Sequence, residues 1–410
     1  MSASFSAAIT GVGIISPAGI GCGENWKTVV AGKPTAAVDA SLDGCPCMIS
    51  CRVPPFDPAD LGIRNPWQWD RFSQFAFIAV MEALADAGLK ARDWNDASRV
   101  GVVIGTGAGG TETFEEQYRN LARHGSEGVS PLSLPMALLN MAAGQVAIEI
   151  GARGPCFTPV TACASGATAI GLAREMIRNG QVDIVVAGGA EAPITPFYVS
   201  AFARMKALSP NPDPATASRP FDESRNGFVI GEGAAILVME AASHAKARGA
   251  RIRGFVSGYG ASADAHHVTS PHPQGEGARL SMDSAIKSAN LAPSDIGYVN
   301  AHGTSTQAND FIESSVICGL LGENVPVSST KGVTGHLLGA AGAAEAAFTL
   351  FSLEAGMLPP TAGLTEQDAR VAAKVLAGRA VGMEALHAIS NSFGFGGQNA
   401  SLVISKAGAV

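Results

Sequence analysis

A cysteine and two histidines stand out in this 410-residue sequence, because each lies where a predicted strand gives way to a turn. Cys163 lies in VTACASGATAIGLA, a β-branched run followed by small residues and an Ala-rich helix. The unpaired N–H groups and the positive dipole end of that helix are expected to stabilise a thiolate, lower the cysteine pKa and favour nucleophilic attack. The alternative is a buried structural cysteine, a common state of this residue.

His302 and His336 strengthen the nucleophilic interpretation. His302 lies in NAHGTST at the end of a predicted strand, where α/β sheets carry ligand-binding loops. His336 lies in TKGVTGHLLGAAGAAEA, in a glycine-rich turn that enters a helix. Cysteine with histidine is the combination of thiol catalysis, and two neutral imidazoles can each donate an N–H to one carbonyl oxygen. The remaining histidines are interpreted as core or surface residues: His124, His244, His266, His267, His272 and His387.

Two other patterns are weaker candidates for chemistry. GTGAGG at 105–110 follows a strand and matches the dinucleotide motif G-x-G-x-x-G, but no second strand ending in an acid follows it. Cys45, Cys47 and Cys51 form a C-x-C-x₃-C cluster, but no fourth ligand follows at zinc-finger spacing. We therefore expect neither a dinucleotide cofactor nor a metal, and interpret the three cysteines as loop thiols.

The elements that position these residues alternate between strands and helices, which indicates an α/β architecture. Strands are predicted at 100–104, 184–187, 235–239, 297–300 and 402–404. Helices are predicted at 75–87, 164–179, 242–248, 278–288 and 340–354, where apolar residues recur at helical spacing and several stretches end at Gly or Asn.

The order of these elements is repeated. The first half contains IGTGAGG, VTACASGATAIGLA and VDIVVAGGAEA, and the second contains YVNAHGTSTQAND, STKGVTGHLLGAAGAAEA and HAISNSFGFGGQNA. The charged stretch HAKARGARIR at 244–253 is the natural boundary. We predict two pseudo-symmetric halves, 1–249 with the cysteine and 250–410 with the two histidines.

Composition narrows the class of protein. The chain is 47% hydrophobic and 15% charged, which excludes intrinsic disorder and suggests that much surface is buried between subunits. The net charge of −7 and the lack of a Lys/Arg cluster argue against nucleic-acid binding. The uncharged windows 1–23 and 128–148 lack a basic signal region and a continuous apolar run, respectively. Seven cysteines without a secretory signal argue against a disulfide framework, so we predict a soluble, cytoplasmic protein without membrane contacts.

Five segments resemble those of β-ketoacyl-acyl-carrier-protein synthases, most closely the elongating type with a Cys-His-His triad. They are VTACASGATAIG, RPFDESRNGFVIGEGAAILVMEA, NAHGTSTQAND, SSTKGVTGHLLGAAGAAEA and NSFGFGGQNAS. The resemblance covers nearly the whole chain in order. It implies a thiolase-like fold with α-β-α-β-α layers, and a dimer in which the low-charge surface is buried.

The resemblance also implies roles for the three residues. Cys163 would receive the growing acyl chain as a thioester. His302 and His336 would hold the thioester carbonyl of malonyl carrier protein and stabilise the enolate as carbon dioxide leaves. Phe395, in GFGG, resembles a gating phenylalanine whose backbone N–H forms an oxyanion hole together with that of Cys163.

Other positions match supporting residues of the family. Lys331 and Glu345 match a charged pair that orients the site, and Thr304 and Thr306 match hydroxyls that contact the phosphopantetheine arm. Ala108 lies where many members carry a bulkier acyl-pocket residue. The resemblance implies no metal or organic cofactor, because the prosthetic arm arrives on acyl carrier protein.

Several departures leave the pathway open. Asn309 and Asp310 resemble ketosynthase subunits of type II polyketide systems, and Gly332 and Gln398 replace a common serine and threonine. The chain is therefore expected to act in fatty-acid or polyketide elongation, as a homodimer or with a cysteine-less chain-length-factor-like paralogue. A thiolase would need a second cysteine in NSFGFGGQN, and a non-catalytic chain-length partner would lack Cys163.

Overall fold

Residues 6–409 are described by the structure, a computed structural model, and most of their strands join one 12-stranded mixed sheet. Residues 1–5 of the first uncharged window lie outside the described residues. The N-terminal part of the sheet contains β1 (Ala7–Ser16), β2 (Val100–Gly105), β3 (Cys156–Phe157), β4 (Ile184–Glu191) and β5 (Gly233–Ala241). The C-terminal part contains β6 (Gly254–Ala263), β7 (Ile296–Asn300), β8 (Pro326–Ser328), β9 (His387–Gly394) and β10 (Gln398–Lys406). Short strands lie at Gly19–Ile20, Ala37–Val38, Ile49–Ser50, Met357–Leu358, Lys374–Val375 and Val381–Gly382.

The two parts of the sheet have the same strand order. The N-terminal order is β3-β2-β4-β5-β1, and the C-terminal order is β8-β7-β9-β10-β6. In both parts the first two pairings are parallel and the last two are antiparallel. The predicted pseudo-symmetry is therefore confirmed.

The two parts meet along their innermost strands. Ala8 of β1 pairs with Phe255 of β6, and Ile9 pairs with Gly254, so one sheet runs through the whole molecule. The predicted boundary at residue 249 lies in the turn between helix Ala242–Ala247 and β6. This placement of the boundary stays a prediction, since the continuous sheet does not itself divide there.

Helices cover both faces of each half. They are α1 (Cys22–Val30), α2 (Arg71–Asp86), α3 (Thr111–His124), α4 (Ser133–Ala137), α5 (Met141–Ile150), α6 (Ser165–Arg178), α7 (Pro196–Arg204), α8 (Pro214–Ala217), α9 (Ala242–Ala247), α10 (Glu276–Ser288), α11 (Gln307–Leu321), α12 (Lys331–Thr334) and α13 (Ala341–Ala355). α2 and α5 pack outside the N-terminal half, and α10 and α11 pack outside the C-terminal half. α6 and α13 lie between the halves and contact strands of both, which gives the predicted α-β-α-β-α layering.

The central layer is close-packed because small residues lie where its two helices meet. α13 is buried from Ala341 to Leu353, as expected for a helix whose residues are mostly apolar. A Cβ at Gly166 of α6 would lie 2.9 Å from the backbone nitrogen of Ala343 and 2.9 Å from the carbonyl oxygen of Gly339. Glycine at 166 therefore sets the spacing of the two helices.

The predicted strands and helices are all present, with longer or slightly shifted bounds. α2 begins at Arg71, earlier than predicted, because the Asp70 carboxylate caps its first turn by accepting the Phe72 N–H at 3.2 Å. The alternation of strands and helices does not predict α3, whose apolar residues Phe114, Tyr118 and Leu121 form an exposed stripe. Within residues 6–409, no helix is both long and apolar enough to cross a bilayer.

We expect Gly166→Ala to lower the free energy of unfolding by about 1–3 kcal/mol, because the added methyl group overpacks the α6–α13 contact. Gly144→Ala in α5 is the matched control, since nothing lies within 4 Å of a Cβ there. That change should raise stability by up to about 1 kcal/mol through helix propensity. Urea denaturation of both variants checks the prediction, which fails if Gly166→Ala is as stable as wild type.

Candidate active site

Cys163 lies in a strained turn at the start of α6. A 3₁₀ turn, Ala162–Ala164, precedes the helix, and Ala162 has a φ of 49°, in the left-handed region that non-glycine residues rarely adopt. The Ser165 hydroxyl stabilises this turn by accepting the Thr161 N–H at 2.9 Å and donating to the Ala162 carbonyl at 2.7 Å. The strain is typical of a residue held for function.

His302 lies in the loop that follows β7 and is fixed from both sides. The backbone N–H groups of His302 and Gly303 each donate to the buried Glu313 carboxylate at 2.8 Å. Lys331 donates to the His302 carbonyl at 2.5 Å, and its Nζ lies 3.3 Å from His302 Nδ1. A lysine ammonium can only donate, so Nδ1 accepts and Nε2 carries the imidazole proton.

His336 is fixed through its backbone. Its N–H donates to the Val229 carbonyl at 2.8 Å, and its carbonyl accepts the Gly231 N–H at 2.9 Å. The ring packs edge-on against Phe228, with centroids 5.1 Å apart. Its Nδ1 is buried without a hydrogen-bond partner among the described residues.

The side chains predicted from sequence meet at one cavity of about 270 Å³. The rings of His302 and His336 are 5.3 Å apart and nearly perpendicular. The cavity is lined by six of the predicted residues: Cys163, His302, Thr304, Thr306, His336 and Phe395. The two threonine hydroxyls are hydrogen-bonded to each other at 2.9 Å. The structure thus brings together residues that are far apart in the sequence.

Lys331 and Glu345 form a buried ion pair beneath the histidines. Burial raises the pKa of the Glu345 carboxyl, and the positive charge of Lys331 acts to lower it. Because Lys331 also contacts His302, the pair connects the central helix α13 to the histidine loop. The supporting role of this pair stays a prediction.

The electrostatics of the site correct one expectation. The helix N-terminus was expected to lower the pKa of Cys163, but burial raises the pKa of this thiol to about 12. The charge of Lys331 and the backbone N–H of Phe395, which donates toward the sulfur, act in the opposite direction without offsetting burial. The thiol is therefore protonated at rest and needs a base.

Both histidines remain neutral. Burial lowers the pKa of His302 and of His336 well below the usual range, and the nearby charge of Lys331 lowers both further. A neutral imidazole can either donate an N–H to a carbonyl oxygen or accept a proton from a thiol. The site thus combines a nucleophile in its protonated form with two neutral acid–base groups.

The loop with the sequence GFGG at 394–397 lies in close contact with the Cys163 turn, which explains why its first residue is glycine. A Cβ at Gly394 would lie 2.6 Å from the Thr161 carbonyl oxygen and 3.2 Å from the Cys163 nitrogen. Only glycine there lets the Phe395 N–H reach the same side of the cavity as the Cys163 turn. The ring of Phe395 lies against Phe202, with centroids 6.3 Å apart.

The comparisons with known proteins agree with this geometry. Residues 5–245 match the family described as "Beta-ketoacyl synthase, N-terminal domain", and residues 253–365 match "Beta-ketoacyl synthase, C-terminal domain". The chain belongs to the beta-ketoacyl synthase family.

Relatives of this synthase come from two kinds of pathway. The 3-oxoacyl-[acyl-carrier-protein] synthase 2 of Staphylococcus aureus (strain N315) is 41% identical over 412 residues, covering 99% of each chain. The ishigamide ketosynthase/chain length factor structure is 32% identical, with a TM-score of 0.92 over 98% of this chain and 99% of that chain. A type II polyketide ketosynthase, solved with its acyl carrier protein and bound to the hexaketide, is 30% identical, with a TM-score of 0.91 over 98% and 99%. The resemblance seen in the sequence is confirmed.

Ala108 and Glu191 of the synthase do not line this cavity, whereas Glu313 does. Ala108 is not among the lining residues, so its place in the acyl pocket stays a prediction. Its backbone N–H donates to the Glu191 carboxylate at 3.0 Å. The same carboxylate accepts the Gly107 N–H at 2.6 Å, so the G-x-G-x-x-G loop already holds an anion of the protein itself. Sequence reasoning missed Glu191 and Glu313. A carboxylate alone in an apolar run, AGGAEAPI, was the available signal for Glu191.

Acidification should weaken the synthase fold through its neutral histidines. The unfolded chain binds a proton at His336 below about pH 6.5, whereas the folded state, with its lowered pKa, does not. His336→Asn removes this contribution, so the difference in unfolding free energy between wild type and variant should shrink from about pH 8 to about pH 5.5. Urea denaturation measures it. His124→Asn is the control, because His124 is exposed. The prediction is wrong if the unfolding free energies of the two variants depend equally on pH.

Proposed function

We propose that this synthase condenses an acyl chain held on Cys163 with a malonyl group carried by acyl carrier protein, releasing carbon dioxide. The observation that carries the proposal is the meeting of a thiol and two neutral imidazoles at one cavity. A neutral histidine pair suits a reaction in which negative charge develops on a thioester oxygen. The relatives named for 3-oxoacyl-acyl-carrier-protein synthesis support the same chemistry.

The first half-reaction transfers the acyl chain to the enzyme. A neutral imidazole accepts the Cys163 proton, and the sulfur attacks the carbonyl carbon of the acyl thioester. The N–H groups of Cys163 and Phe395 then stabilise the tetrahedral oxyanion. When the carbon–sulfur bond to the carrier breaks, the carrier thiolate leaves and takes up the proton. A thioester replaces a thioester, so the step balances without an oxidant.

The second half-reaction forms the carbon–carbon bond. Nε2–H of His302 and an N–H of His336 donate to the malonyl thioester carbonyl, which stabilises the enolate formed as the carboxylate leaves as carbon dioxide. The enolate carbon attacks the Cys163 thioester, and the cysteine leaves as a thiol after protonation. The product is a β-ketoacyl group on the carrier. The proton that restores the Cys163 thiol comes from solvent, and every other atom and electron comes from the two thioesters, so we propose that no resident metal or organic cofactor takes part.

Thr304 and Thr306 support recognition of the carrier's arm. Their paired hydroxyls line the same cavity as the histidines, where they can hydrogen-bond the amides of a phosphopantetheine arm. We infer that acyl carrier protein is the partner that delivers both thioesters, and a related ketosynthase solved in complex with its acyl carrier protein supports this. The seven cysteines, all in the described part of the chain, are free thiols, which supports a reducing, cytoplasmic compartment.

A polyketide pathway is the second candidate, because one solved relative is the ketosynthase of a type II polyketide system and another is a ketosynthase/chain length factor. Asn309, singled out in the sequence as polyketide-like, lines the cavity and donates to Asp310 at 3.1 Å. Intact-mass analysis with candidate carriers, which reads the acyl group loaded on Cys163, separates the two pathways.

The two half-reactions should respond oppositely to substitution. Cys163→Ala should abolish self-acylation and condensation but leave some malonyl decarboxylation, which needs only the histidines. His336→Ala should retain part of the loading, because the charge of Lys331 and the Phe395 N–H still act to lower the pKa of the Cys163 thiol and water can accept its proton, while decarboxylation falls by about 10²–10³. Mass spectrometry of the loaded enzyme and carbon dioxide release measure both. Acylation at a single site in Cys163→Ala, or normal decarboxylation in His336→Ala, contradicts these roles.

We infer that the synthase acts as a dimer through the edge strand β3. Phe157 of β3 is 55% exposed and Val160 is 47% exposed, and β3 leaves one side unpaired at the edge of the sheet. A β-strand edge with exposed apolar neighbours suits pairing with a second subunit. That subunit is either a second copy or a cysteine-less paralogue.

Phe157→Glu should therefore convert the dimer to monomers, whereas Leu280→Glu, on the outer helix α10, should not. An obligate interface buries more than about 2,000 Å², so wild type should not dissociate at ordinary dilution. Analytical ultracentrifugation measures both variants. If the wild-type chain forms a fully active homodimer when expressed alone, the hypothesis of a cysteine-less paralogue is wrong. If Phe157→Glu remains dimeric, the proposed interface through β3 is wrong.

A further inference from the structure

The pseudo-symmetry gives Cys163 a counterpart in the other half. The turn Leu338–Ala340 precedes α13 as Ala162–Ala164 precedes α6, and Leu338 has a φ of 46°, close to the 49° of Ala162. The residue after the left-handed position is Cys163 in one half and Gly339 in the other. Gly339 thus occupies the nucleophile position of the C-terminal half.

The N–H of Gly339 does not face a substrate cavity but donates to Glu191 Oε2 at 2.8 Å. The same carboxylate accepts the N–H groups of Gly107 and Ala108, at 2.6 and 3.0 Å, and the Thr106 hydroxyl at 2.6 Å. Glu191 is completely buried. Four donors converging on one buried carboxylate form an anion hole with an internal occupant.

The hole leaves no room for a side chain at its nucleophile position. A Cβ at Gly339 would lie 2.4 Å from Glu191 Oε2 and 2.4 Å from the Gly107 nitrogen. A side chain at position 339 would therefore occupy the space that the Glu191 carboxylate fills. For this reason the second half cannot hold a reactive cysteine there.

We propose that Glu191 is a positioning residue, whose carboxylate fills this second hole and thereby holds both turns of the active site. It holds the His336 turn directly, through the N–H of Gly339. It holds the Cys163 turn through Thr106, whose carbonyl lies 3.1 Å from the Ser165 hydroxyl that also donates to Ala162. The proposal rests on the proposed function, since it assigns both turns to one reaction.

The charge of Glu191 allows its effect on the position of the two turns to be distinguished from its effect on the ionisation of the Cys163 thiol. Its negative charge acts to raise the pKa of Cys163, so it opposes formation of the thiolate. Replacing the carboxylate by an amide should therefore make the thiol easier to ionise while it loosens the two turns. A merely structural residue would not produce these opposite effects.

The first test is Glu191→Gln, whose amide points a donor at backbone donors. Condensation kcat should fall roughly 10- to 100-fold with little change in KM for malonyl carrier protein, as expected when reacting groups are slightly misplaced. The pH profile of iodoacetamide alkylation at Cys163, read by peptide mapping, should move to lower pH. Unchanged kcat, or an alkylation profile that does not move, overturns the proposal.

The matched control is Glu240→Gln. Glu240 is also fully buried in a strand, but its partners are Thr10, His244 and Arg248, and it does not line the cavity. The control should leave kcat and the Cys163 alkylation profile as in wild type. An equal loss of kcat in both variants means that Glu191 is only a folding residue, which also overturns the proposal.

The second test is anion rescue. Glu191→Gly empties the hole, and added formate should restore kcat at least severalfold and return the alkylation profile toward that of wild type, whereas Glu240→Gly should not respond. If Glu191→Gly folds but its kcat does not rise with formate, the anion hole is rejected. If Glu191→Gly does not fold, the result for Glu191→Gln decides. Alkylation of Cys163 can be measured even if the enzyme does not condense substrates. If the wild type lacks condensing activity but the alkylation profiles shift as expected, the proposed function is rejected and the role of Glu191 is retained.

Discussion

The close approach of α6 and α13 is the constraint on which the site depends. Gly166 lets the two central helices touch near their N-termini, and Gly342 extends the contact, since a Cβ there would lie 3.0 Å from the Ala167 nitrogen. Because the turns before both helices then lie side by side, the thiol of one half meets the imidazole of the other. A larger residue at this contact would separate groups that must act on one substrate.

Burial sets the chemical state of these groups. It keeps the Cys163 thiol protonated and the two imidazoles neutral. Of the buried charged residues nearby, Lys331 contacts His302 and is paired with Glu345, and the Glu313 carboxylate accepts the backbone N–H of His302. Charges in such an interior are tolerable when they are paired and hydrogen-bonded. The enzyme thus keeps its charged groups one contact away from the reacting atoms, and the thiol ionises only as a base accepts its proton.

Sequence reasoning found the elements and the three chemical residues because local signals mark them. Turns of small residues before helices mark Cys163 and His336, and a glycine-containing turn after a strand marks His302, without knowledge of the fold. The high pKa of Cys163 could not be foreseen in this way, because it follows from burial by segments distant in sequence. Glu191 was missed for the same reason, since its partners lie 85 and 148 positions away along the chain.

The pairing of the innermost strands has a consequence for synthesis of the protein. β1 pairs with β5, Ala7 facing Ala241, so the N-terminal part of the sheet can close while the second half is still being translated. β6 pairs with β10, Gly254 facing Lys406, and therefore cannot complete its pairing until β10 has been synthesised. Until then the inner edge of β1 and the apolar side of α6 face solvent on a growing chain. Long-range pairings of this kind form slowly and leave apolar surface exposed, so nascent chains of this protein should depend on chaperones until β10 has been synthesised and has paired with β6.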